Sequence, residues 1–519
     1  MRRVAALLLA LPLLAGADTT LRFCTAGSPK TFDPAMTDSY VDHVAHAPVF
    51  GTLIELRRGT DQLIPGLATG WSVSADGLAY TLDLRRGVAW QTVEGFKPTR
   101  EFNADDVLFT FGRLLSRDSE FAKAFPNVSP YVLSFGWEEL IRKVEKLGDH
   151  QVRFTLAERD ASFLSALSFT FTMIQSAELG AQLLKAGTPQ RIAQMPVGTG
   201  PFQLKSFRAD SVIRYVRNPT WWRGDERPRA DQLVFAVTTD ASVRAQRLRR
   251  DECDVAAPVG PAELDELKKD PAIKLATAPG MNIGYLAYNT RRPALAKVEV
   301  RQALDMAIDK AAILRAVYGD AGTLARSIVP AANWAHDDTL QPKPYDPARA
   351  RALLQKAGVL PLSLTLWAMP VVRNYNPNGQ RMAQMIQADW AKVGVTARIV
   401  SYEWGEYLRR IDAGEHDAAL SGWNSDPEPA NTFGQLGCKA NSGTSWCNAA
   451  YDELLAQARQ ASTRAERKAI YAKAQRIAMQ ELPWTPIAHG RLAVPERATV
   501  KGFVLDLDGG MNFDGVLPR

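Results

Sequence analysis

The stretch WSVSADGLAYTLDLRRGVAW at residues 71–90 carries the clearest structural signal of the chain. Ala75-Asp76-Gly77 is a turn sequence, and from Tyr80 to Leu84 every second residue is apolar. A spacing of two is the period of a strand with one buried face. The stretch therefore predicts a β-hairpin whose second strand packs on a core.

Downstream of this hairpin the pattern changes between helix and strand. Asn103 precedes an apolar-periodic segment and is expected to cap a helix, and HQVRFTLA at residues 150–157 reads as another strand. The amphipathic segment Val300–Tyr318 predicts one helix. The apolar strand Leu362–Trp367 is followed by a helix that Gly394 closes and by a further strand. Such strand-helix-strand units predict a partly parallel sheet, and so an α/β protein with more than one lobe.

Length and composition are those of a globular protein. The 519 residues correspond to roughly three to four domain-sized units. Lys and Arg number 62 against 56 Asp and Glu, a net charge of +6 that no cluster of cations concentrates. Nucleic-acid binding requires cations gathered on one surface, so no nucleic-acid partner is expected.

The N-terminal sequence MRRVAALLLALPLLAGADTT predicts export. Arg2 and Arg3 precede an apolar run from Val4 to Leu14, and Ala15-Gly16-Ala17 is a small-residue cleavage sequence. Cleavage is expected after Ala17, so residues 1–17 form a signal peptide. The apolar run is too short to span a bilayer, although an anchor or a short core helix is the alternative reading.

Four cysteines in an exported protein suggest two disulfides. Cys438 and Cys447 bracket a short polar loop, which would leave Cys24 and Cys253 to pair by elimination. Free buried thiols are the alternative. The spacing contains no metal-ligand pattern, so neither a metal site nor a cofactor is expected.

No catalytic motif stands out in the chain. There is no G-x-S-x-G, H-E-x-x-H or phosphate-loop sequence, and the six histidines are scattered. His43 and His46 are expected to pack rather than to react. The prediction is therefore that the protein is not an enzyme, with a secreted hydrolase or peptidase as the alternative from another class.

Two loops carry isolated charges directly after apolar strands. Arg373 interrupts an uncharged stretch in WAMPVVRNYNPN (367–378), and Asp426 follows Trp423 in SGWNSDPEP (421–429). Loops at strand ends bind ligands in α/β folds, and an arginine can grip a carboxylate through two hydrogen bonds. Taken alone, these residues are better explained as a surface arginine and a turn aspartate before a proline.

The chain resembles the periplasmic dipeptide-binding proteins, which are receptors of ATP-driven importers in the peptide/nickel-binding superfamily. The resemblance covers almost the whole chain after the signal segment. It rests on IPGLATGWSVSADGLAYTLDLRRGVAW (64–90), VGTGPF (197–202), NIGYLAYN (282–289), WAMPVVRNYNPN (367–378) and YEWGEYL (402–408). The positions of all four cysteines also match, which supports the Cys24–Cys253 and Cys438–Cys447 pairs.

The resemblance implies two lobes, an extra third domain and a ligand enclosed between the lobes. The first lobe is expected from residues 18–50, 180–275 and 485–519, with a second domain at 51–179 packed on it. Residues 276–484 would form the other lobe. A monomer is expected.

The resemblance also implies the ligand contacts. Arg373 is expected to bind the carboxylate of a dipeptide and Asp426 its amino group. The other expected pocket residues are Tyr375, Trp404, Gly422, Trp423 and Asp38. A cation and an anion at a set separation would act as a length ruler, because a longer peptide would leave Arg373 unpaired.

Two places depart from the family pattern. The loop at residues 424–433 is two residues shorter and carries Pro427 and Pro429, and Asp38 replaces a short hydroxyl residue. An acid at position 38 either favours basic ligands or faces solvent. The sequence thus predicts a periplasmic dipeptide receptor that delivers its ligand to an inner-membrane permease; docking to a chemoreceptor is compatible with that role. Longer peptides, haem, glutathione or another peptide-like solute are the alternative ligands.

Overall fold

The computed structural model describes residues 19–37, 39–115, 119–133, 135–224, 228–425, 427–440 and 443–518. The predicted signal segment and two expected pocket residues, Asp38 and Asp426, lie outside this description.

Nineteen strands are present in the described ranges. In chain order they are β1 (Thr20–Thr25), β2 (Ile54–Leu56), β3 (Leu63–Pro65), β4 (Ala68–Val73), β5 (Ala79–Leu84), β6 (Ile141–Gly148), β7 (Gln151–Leu156), β8 (Phe202–Arg208), β9 (Val212–Arg217), β10 (Gln232–Val237), β11 (Val255–Ala256), β12 (Ile273–Ala278), β13 (Asn282–Tyr288), β14 (Gly322–Leu324), β15 (Leu362–Trp367), β16 (Val395–Val400), β17 (Ala418–Asn424), β18 (Trp484–Gly490) and β19 (Leu492–Arg497).

The α-helices of the described ranges are α1 (Tyr40–His46), α2 (Ala104–Leu114), α3 (Glu120–Ala124), α4 (Pro130–Leu133), α5 (Trp137–Leu140), α6 (Phe163–Ala166), α7 (Ala177–Lys185), α8 (Ala241–Arg249), α9 (Pro261–Leu267), α10 (Pro293–Ala296), α11 (Val298–Met306), α12 (Lys310–Ile313), α13 (Pro347–Lys356), α14 (Gly379–Lys392), α15 (Trp404–Asp412), α16 (Pro429–Gly434), α17 (Ala449–Gln460) and α18 (Arg464–Glu481). None of these helices is both long and apolar enough to cross a membrane.

The hairpin predicted from residues 71–90 is confirmed. β4 and β5 pair antiparallel and form a four-stranded sheet in the order β4-β5-β7-β6. Asn103 caps α2, as predicted, through a hydrogen bond from the Asp105 amide to its side chain. The helix buries Phe111 against this sheet, where its ring lies 4.7 Å from that of Phe154.

Two larger sheets form the centres of the two lobes. The first has the order β12-β19-β11-β1-β10-β9-β8, so its strands come from three separate parts of the chain. The second has the order β14-β18-β13-β17-β15-β16, in which β15 is parallel to both β16 and β17. The partly parallel sheet predicted from the strand-helix-strand unit is this second sheet.

Two of the expected segment boundaries do not match the packing. β18 lies in the second sheet between β14 and β13, although residues 485–519 were all expected in the first lobe. All seven of its residues are buried, which requires a central position in a sheet. Likewise Ile192 and Val197 belong to the same buried cluster as Phe111, so that core extends past residue 179.

The prediction of one helix from Val300 to Tyr318 is wrong. α11 ends at Met306, and the chain resumes as the short α12 followed by a π-helical turn, Leu314–Tyr318. Asp309 interrupts the helix because its side chain caps α12 by accepting a hydrogen bond from the Ala312 amide at 2.8 Å. Both disulfide predictions are confirmed: Cys24 is bonded to Cys253, and Cys438 is bonded to Cys447.

Candidate ligand site

The loop that carries Arg373 leaves the C-terminal end of β15 and lies over neighbouring strands of the second sheet. Its tip is a tight turn in which the amides of Arg373 and Asn376 donate to each other's carbonyl oxygens at 3.1 and 3.0 Å. Arg373 is exposed at this turn, whereas Tyr375 is buried. The turn thus anchors one side chain in the core and presents the other to solvent.

Arg373 lies among aromatic groups. Its guanidinium carbon is 5.7 Å from the centre of the Trp404 ring, and one guanidinium nitrogen donates to the Val372 carbonyl at 3.0 Å. Burial raises the pKa of the Tyr375 phenol, and the adjacent Arg373 guanidinium opposes that rise. No carboxylate of the described residues forms an ion pair with Arg373. A planar cation held over a ring and without an anion is suited to bind a carboxylate.

Trp404 owes its place to the start of α15. Glu403 caps this helix, because its carboxylate accepts hydrogen bonds from the amides of Gly405 and Glu406. The Trp404 ring then stacks on Tyr407 at 5.8 Å. Tyr407 is fully buried and donates to the Leu420 carbonyl at 2.7 Å, so α15 is tied to β17.

The second predicted loop begins where β17 ends. Gly422 and Trp423 lie in β17, opposite Gly284 and Ile283 of β13. The Trp423 ring is half-buried, and its indole nitrogen has no hydrogen-bond partner among the described residues. Because Gly422 has no side chain, the Tyr375 ring of the Arg373 loop packs directly on its backbone. Four of the seven expected pocket residues, Arg373, Tyr375, Trp404 and Gly422, are thereby brought together.

The residues on either side of position 426 are held by hydrogen bonds and an ion pair. The Ser425 amide donates to the Met281 carbonyl at 2.6 Å, and the Met281 amide donates to the Leu507 carbonyl at 3.2 Å. On its other side, Glu428 caps α16 and forms a buried ion pair with Arg467. Ser425 and Glu428 are therefore both anchored, and through Met281 the end of β17 adjoins the C-terminal segment at Leu507.

The lobes also touch far from this loop. The segment after β7 reaches the connection between α17 and α18, where the Ala161 amide donates to the Arg459 carbonyl at 3.0 Å. Arg159 donates to the Ser462 hydroxyl at 3.0 Å, and Asp61 forms an ion pair with Arg464. These contacts join the unit with the four-stranded sheet to the second lobe.

A separate cavity of about 650 Å³ lies outside the second lobe. His43, Glu55, Arg223 and Asp506 are among its lining residues, whereas none of the five described residues of the predicted pocket is. Burial and the nearby Asp508 carboxylate raise the pKa of Asp506 to about 6. His43 contacts Thr170, and His46 is buried between Thr31 and Thr37, so both histidines pack as expected.

Sequence reasoning missed the glycines on which the Arg373 loop rests. A Cβ at Gly284 would lie 2.0 Å from the Tyr375 carbonyl oxygen, and one at Gly490 would lie 2.0 Å from that of Asn374. The available signal was the glycine inside the otherwise large and apolar stretch NIGYLAYN, since glycine within a strand marks a close approach of another backbone.

Comparison with known proteins places the chain among binding proteins. Residues 62–444 match the family described as bacterial extracellular solute-binding proteins, family 5 Middle. Di/tripeptide-binding protein 1 of Pseudomonas aeruginosa is 49% identical over 492 residues, which cover 93% of this chain and 91% of that protein. A dipeptide-binding protein of the same species is 46% identical over 507 residues, covering 96% of this chain and 95% of that one.

Solved structures agree with this placement. The dipeptide-binding protein of Pseudoalteromonas sp. SM9913, in complex with Met-Leu, aligns with a TM-score of 0.84 and 37% identity. The alignment covers 96% of this chain and all of that one. The chain therefore belongs to the family 5 extracellular solute-binding proteins, and its fold is the two-lobed α/β fold of that family.

Proposed function

We propose that this protein is the periplasmic receptor of an ABC importer and that it binds dipeptides between its two lobes. In this proposal Arg373 binds the ligand carboxylate and Asp426 binds the ligand amino group. Tyr375, Trp404, Gly422 and Trp423 form the adjoining wall of the pocket. The closed, loaded receptor then delivers the dipeptide to an inner-membrane permease.

The observation that carries the proposal is the unpaired Arg373 guanidinium over Trp404. Arg373 is exposed in this structure, and closure of the lobes around a ligand would bury its charge. A charge buried without a counter-ion is costly, so the enclosed guanidinium would need the ligand carboxylate as its partner. A hydrogen bond to a charged group contributes roughly 1.5–3 kcal/mol, so loss of the ligand carboxylate costs at least tens-fold in affinity. The names of the relatives above support the same class of ligand.

The N-terminal segment and the disulfides support the periplasmic location. The N-terminal segment has the composition of a cleaved signal peptide, with the cut expected after Ala17. Two disulfides also suit an oxidising compartment. Expression of the full chain followed by mass measurement of the periplasmic product tests the cleavage site.

Calorimetry on protein that has been unfolded, stripped of ligand and refolded tests the binding site. A dipeptide is expected to bind at micromolar concentration or tighter, and its C-terminal amide and N-acetyl derivatives at least tens-fold more weakly. Arg373→Ala should remove the preference for the free carboxylate, and Asp426→Ala the preference for the free amine. Arg381→Ala is the matched control, because Arg381 is an exposed arginine near the start of α14.

Three outcomes would overturn parts of the proposal. Equal affinity for dipeptides and tripeptides contradicts the length ruler between Arg373 and Asp426. Failure of every peptide to bind contradicts the ligand class. Cleavage of the dipeptide during the titration, detected by chromatography, contradicts a binding protein and favours the peptidase alternative.

A further inference from the structure

Among the described residues, the turn that carries Arg373 is hydrogen-bonded to the core through the hydroxyl of Tyr318. Tyr318 ends the π-helical turn Leu314–Tyr318 and is 1% exposed. Its hydroxyl donates to the Tyr375 carbonyl oxygen at 2.6 Å. This π-helical turn follows α12, which begins after the break at Asp309.

The other contacts under the turn are made by bare backbone. Gly284 lies below the Tyr375 carbonyl, Gly422 below the Tyr375 ring and Gly490 below the Asn374 carbonyl. Gly490 is itself held by Asn282, whose side-chain amide nitrogen donates to the Gly490 carbonyl at 2.8 Å. The Asn282 side-chain oxygen accepts from the Gly490 amide at 2.7 Å.

These glycine contacts and the phenol contact restrain the turn in different ways. Van der Waals contact with a flat backbone stops the turn from moving inward, but it does not stop the turn from lifting away. A hydrogen bond is directional and resists that movement. Tyr318 thus supplies the restraint that the glycines lack, and it acts on the carbonyl of Tyr375, two residues from Arg373 along the chain.

We infer that Tyr318 is a positioning residue for the ligand carboxylate: its hydroxyl holds the Arg373–Asn376 turn at the height at which Arg373 meets that carboxylate. The inference rests on the proposed role of Arg373. Without the hydroxyl, the buried Tyr375 carbonyl loses its partner and the turn moves toward water to regain one. The guanidinium then moves with the turn.

The test compares two ligands that differ only at the carboxylate. Affinities for a dipeptide and for its C-terminal amide are measured by calorimetry on wild type and on Tyr318→Phe. In Tyr318→Phe the affinity for the free dipeptide is expected to fall about tenfold and the affinity for the amide less than twofold. The preference for the carboxylate then becomes smaller. The number of dipeptide-amide molecules bound per protein molecule gives the fraction of folded, binding-competent protein in the same preparation.

Tyr288→Phe is the matched control. Tyr288 belongs to the same buried cluster, and its hydroxyl is hydrogen-bonded to Thr485 at 2.9 Å, away from the Arg373 turn. This change should leave the preference for the carboxylate at its wild-type value. Incorporation of 3-fluorotyrosine at position 318 keeps the hydroxyl, so the preference for the carboxylate should remain. If Tyr318 acted only by packing, the larger fluorinated ring would reduce that preference.

The outcomes separate the inference from the proposed function. If wild type binds dipeptide and amide equally, the assignment of Arg373 to the carboxylate fails. If wild type prefers the carboxylate and Tyr318→Phe preserves that preference in full, Tyr318 is not a positioning residue and the role of Arg373 stands. An equal loss for both ligands in Tyr318→Phe would show a general structural role and would also overturn the inference. In the variant that combines Tyr318→Phe with Arg373→Ala, the preference for the free dipeptide over its amide should not fall below that of Arg373→Ala alone, because Tyr318 acts through Arg373.

Discussion

The ring of Tyr375 packs so closely on Gly422 that a Cβ at position 422 would lie 2.1 Å from a ring carbon. The contact joins the loop after β15 to the strand that leads to Asp426. Because Gly284 is directly opposite Gly422 in the sheet, both strands present bare backbone to the same loop. The loop that carries Arg373 is therefore positioned by the backbones of two neighbouring strands.

Gly422→Ala should move the Tyr375 ring and with it the Arg373 turn. We expect the affinity for a dipeptide to fall at least tenfold, because a separation of 2.1 Å cannot be absorbed without displacing the loop. Calorimetry measures the change. Gly434→Ala is the control in the same lobe, since a Cβ there meets no atom within 4 Å. Equal affinities of Gly422→Ala and wild type would show that the ring position is unimportant.

The ion pair between Asp61 and Arg464 should slow the release of ligand. It joins two different lobes, so removing it favours separation of the lobes without touching the pocket. Because both groups are partly exposed, the expected effect is small, about 1 kcal/mol or less. Stopped-flow tryptophan fluorescence on Arg464→Asp should show a dissociation rate raised severalfold with little change in the association rate.

The charge-swapped double variant is the control for that experiment. Combining Asp61→Arg with Arg464→Asp restores opposite charges at the same two positions and should return the dissociation rate toward that of wild type. A rate that stays high in the double variant would point to a local structural change at position 464 instead of a lost attraction.

Breaking the buried pair of Glu428 and Arg467 should be far more costly than breaking an exposed one. The two side chains are 6% and 7% exposed as residues, and Glu428 also caps α16 beside the Asp426 loop. Glu428→Gln leaves the Arg467 charge buried without its counter-ion. Such a change typically lowers the free energy of unfolding by about 3–5 kcal/mol. Urea unfolding measures the loss.

The exposed pair of Glu406 and Arg409 on α15 provides the comparison for urea unfolding. Its groups lie one helical turn apart, 2.7 Å between nitrogen and oxygen, and Arg409 is largely in water. Glu406→Gln removes the ion pairs to both Arg409 and Arg410, yet it should cost much less than Glu428→Gln because these groups lie in water. If the two substitutions cost the same, burial does not control the strength of the Glu428–Arg467 pair.

His489 should make the fold sensitive to acid. Burial in β18 lowers the pKa of His489 to about 4, although its Nδ1–H donates a hydrogen bond to the Asn282 carbonyl oxygen at 2.6 Å. The folded state therefore takes up a proton here at lower pH than the unfolded chain, whose histidine pKa is about 6.5. The contribution of His489 to the free energy of unfolding is fully present above about pH 6.5. It is lost as the pH falls toward 4, and the loss is on the order of 3 kcal/mol.

A series of urea titrations between neutral pH and pH 4 tests this effect on wild type and His489→Asn. The asparagine amide can reach the same carbonyl but does not titrate, so the variant should lose less stability on acidification. Asp506 works in the opposite direction, because its raised pKa favours the protonated folded state at low pH. The difference between the two proteins isolates His489. Parallel curves for both proteins would contradict the assignment.

Elements with a regular period were predictable, and contacts made by glycine were not. The hairpin at residues 71–90, the helix capped by Asn103 and the parallel unit from β15 to β16 follow from local spacing. The break at Asp309 was missed because a side-chain cap can end a helix inside an apolar period. The placement of β18 depends on tertiary pairing alone. Arg373 was visible as an isolated charge, but the backbone surface beneath its loop leaves no periodic trace in the sequence.

The order of strands in the two large sheets has a consequence for folding during synthesis. β19 lies between β12 and β11, and β18 lies between β14 and β13, yet both strands come from the last segment of the chain. Neither sheet can close until that segment is available, whatever the earlier parts have formed. A nascent chain that stops before residue 484 has two open sheets with unpaired central edges. Final assembly of both large sheets therefore waits for residues 484–497, so the two lobes are completed together.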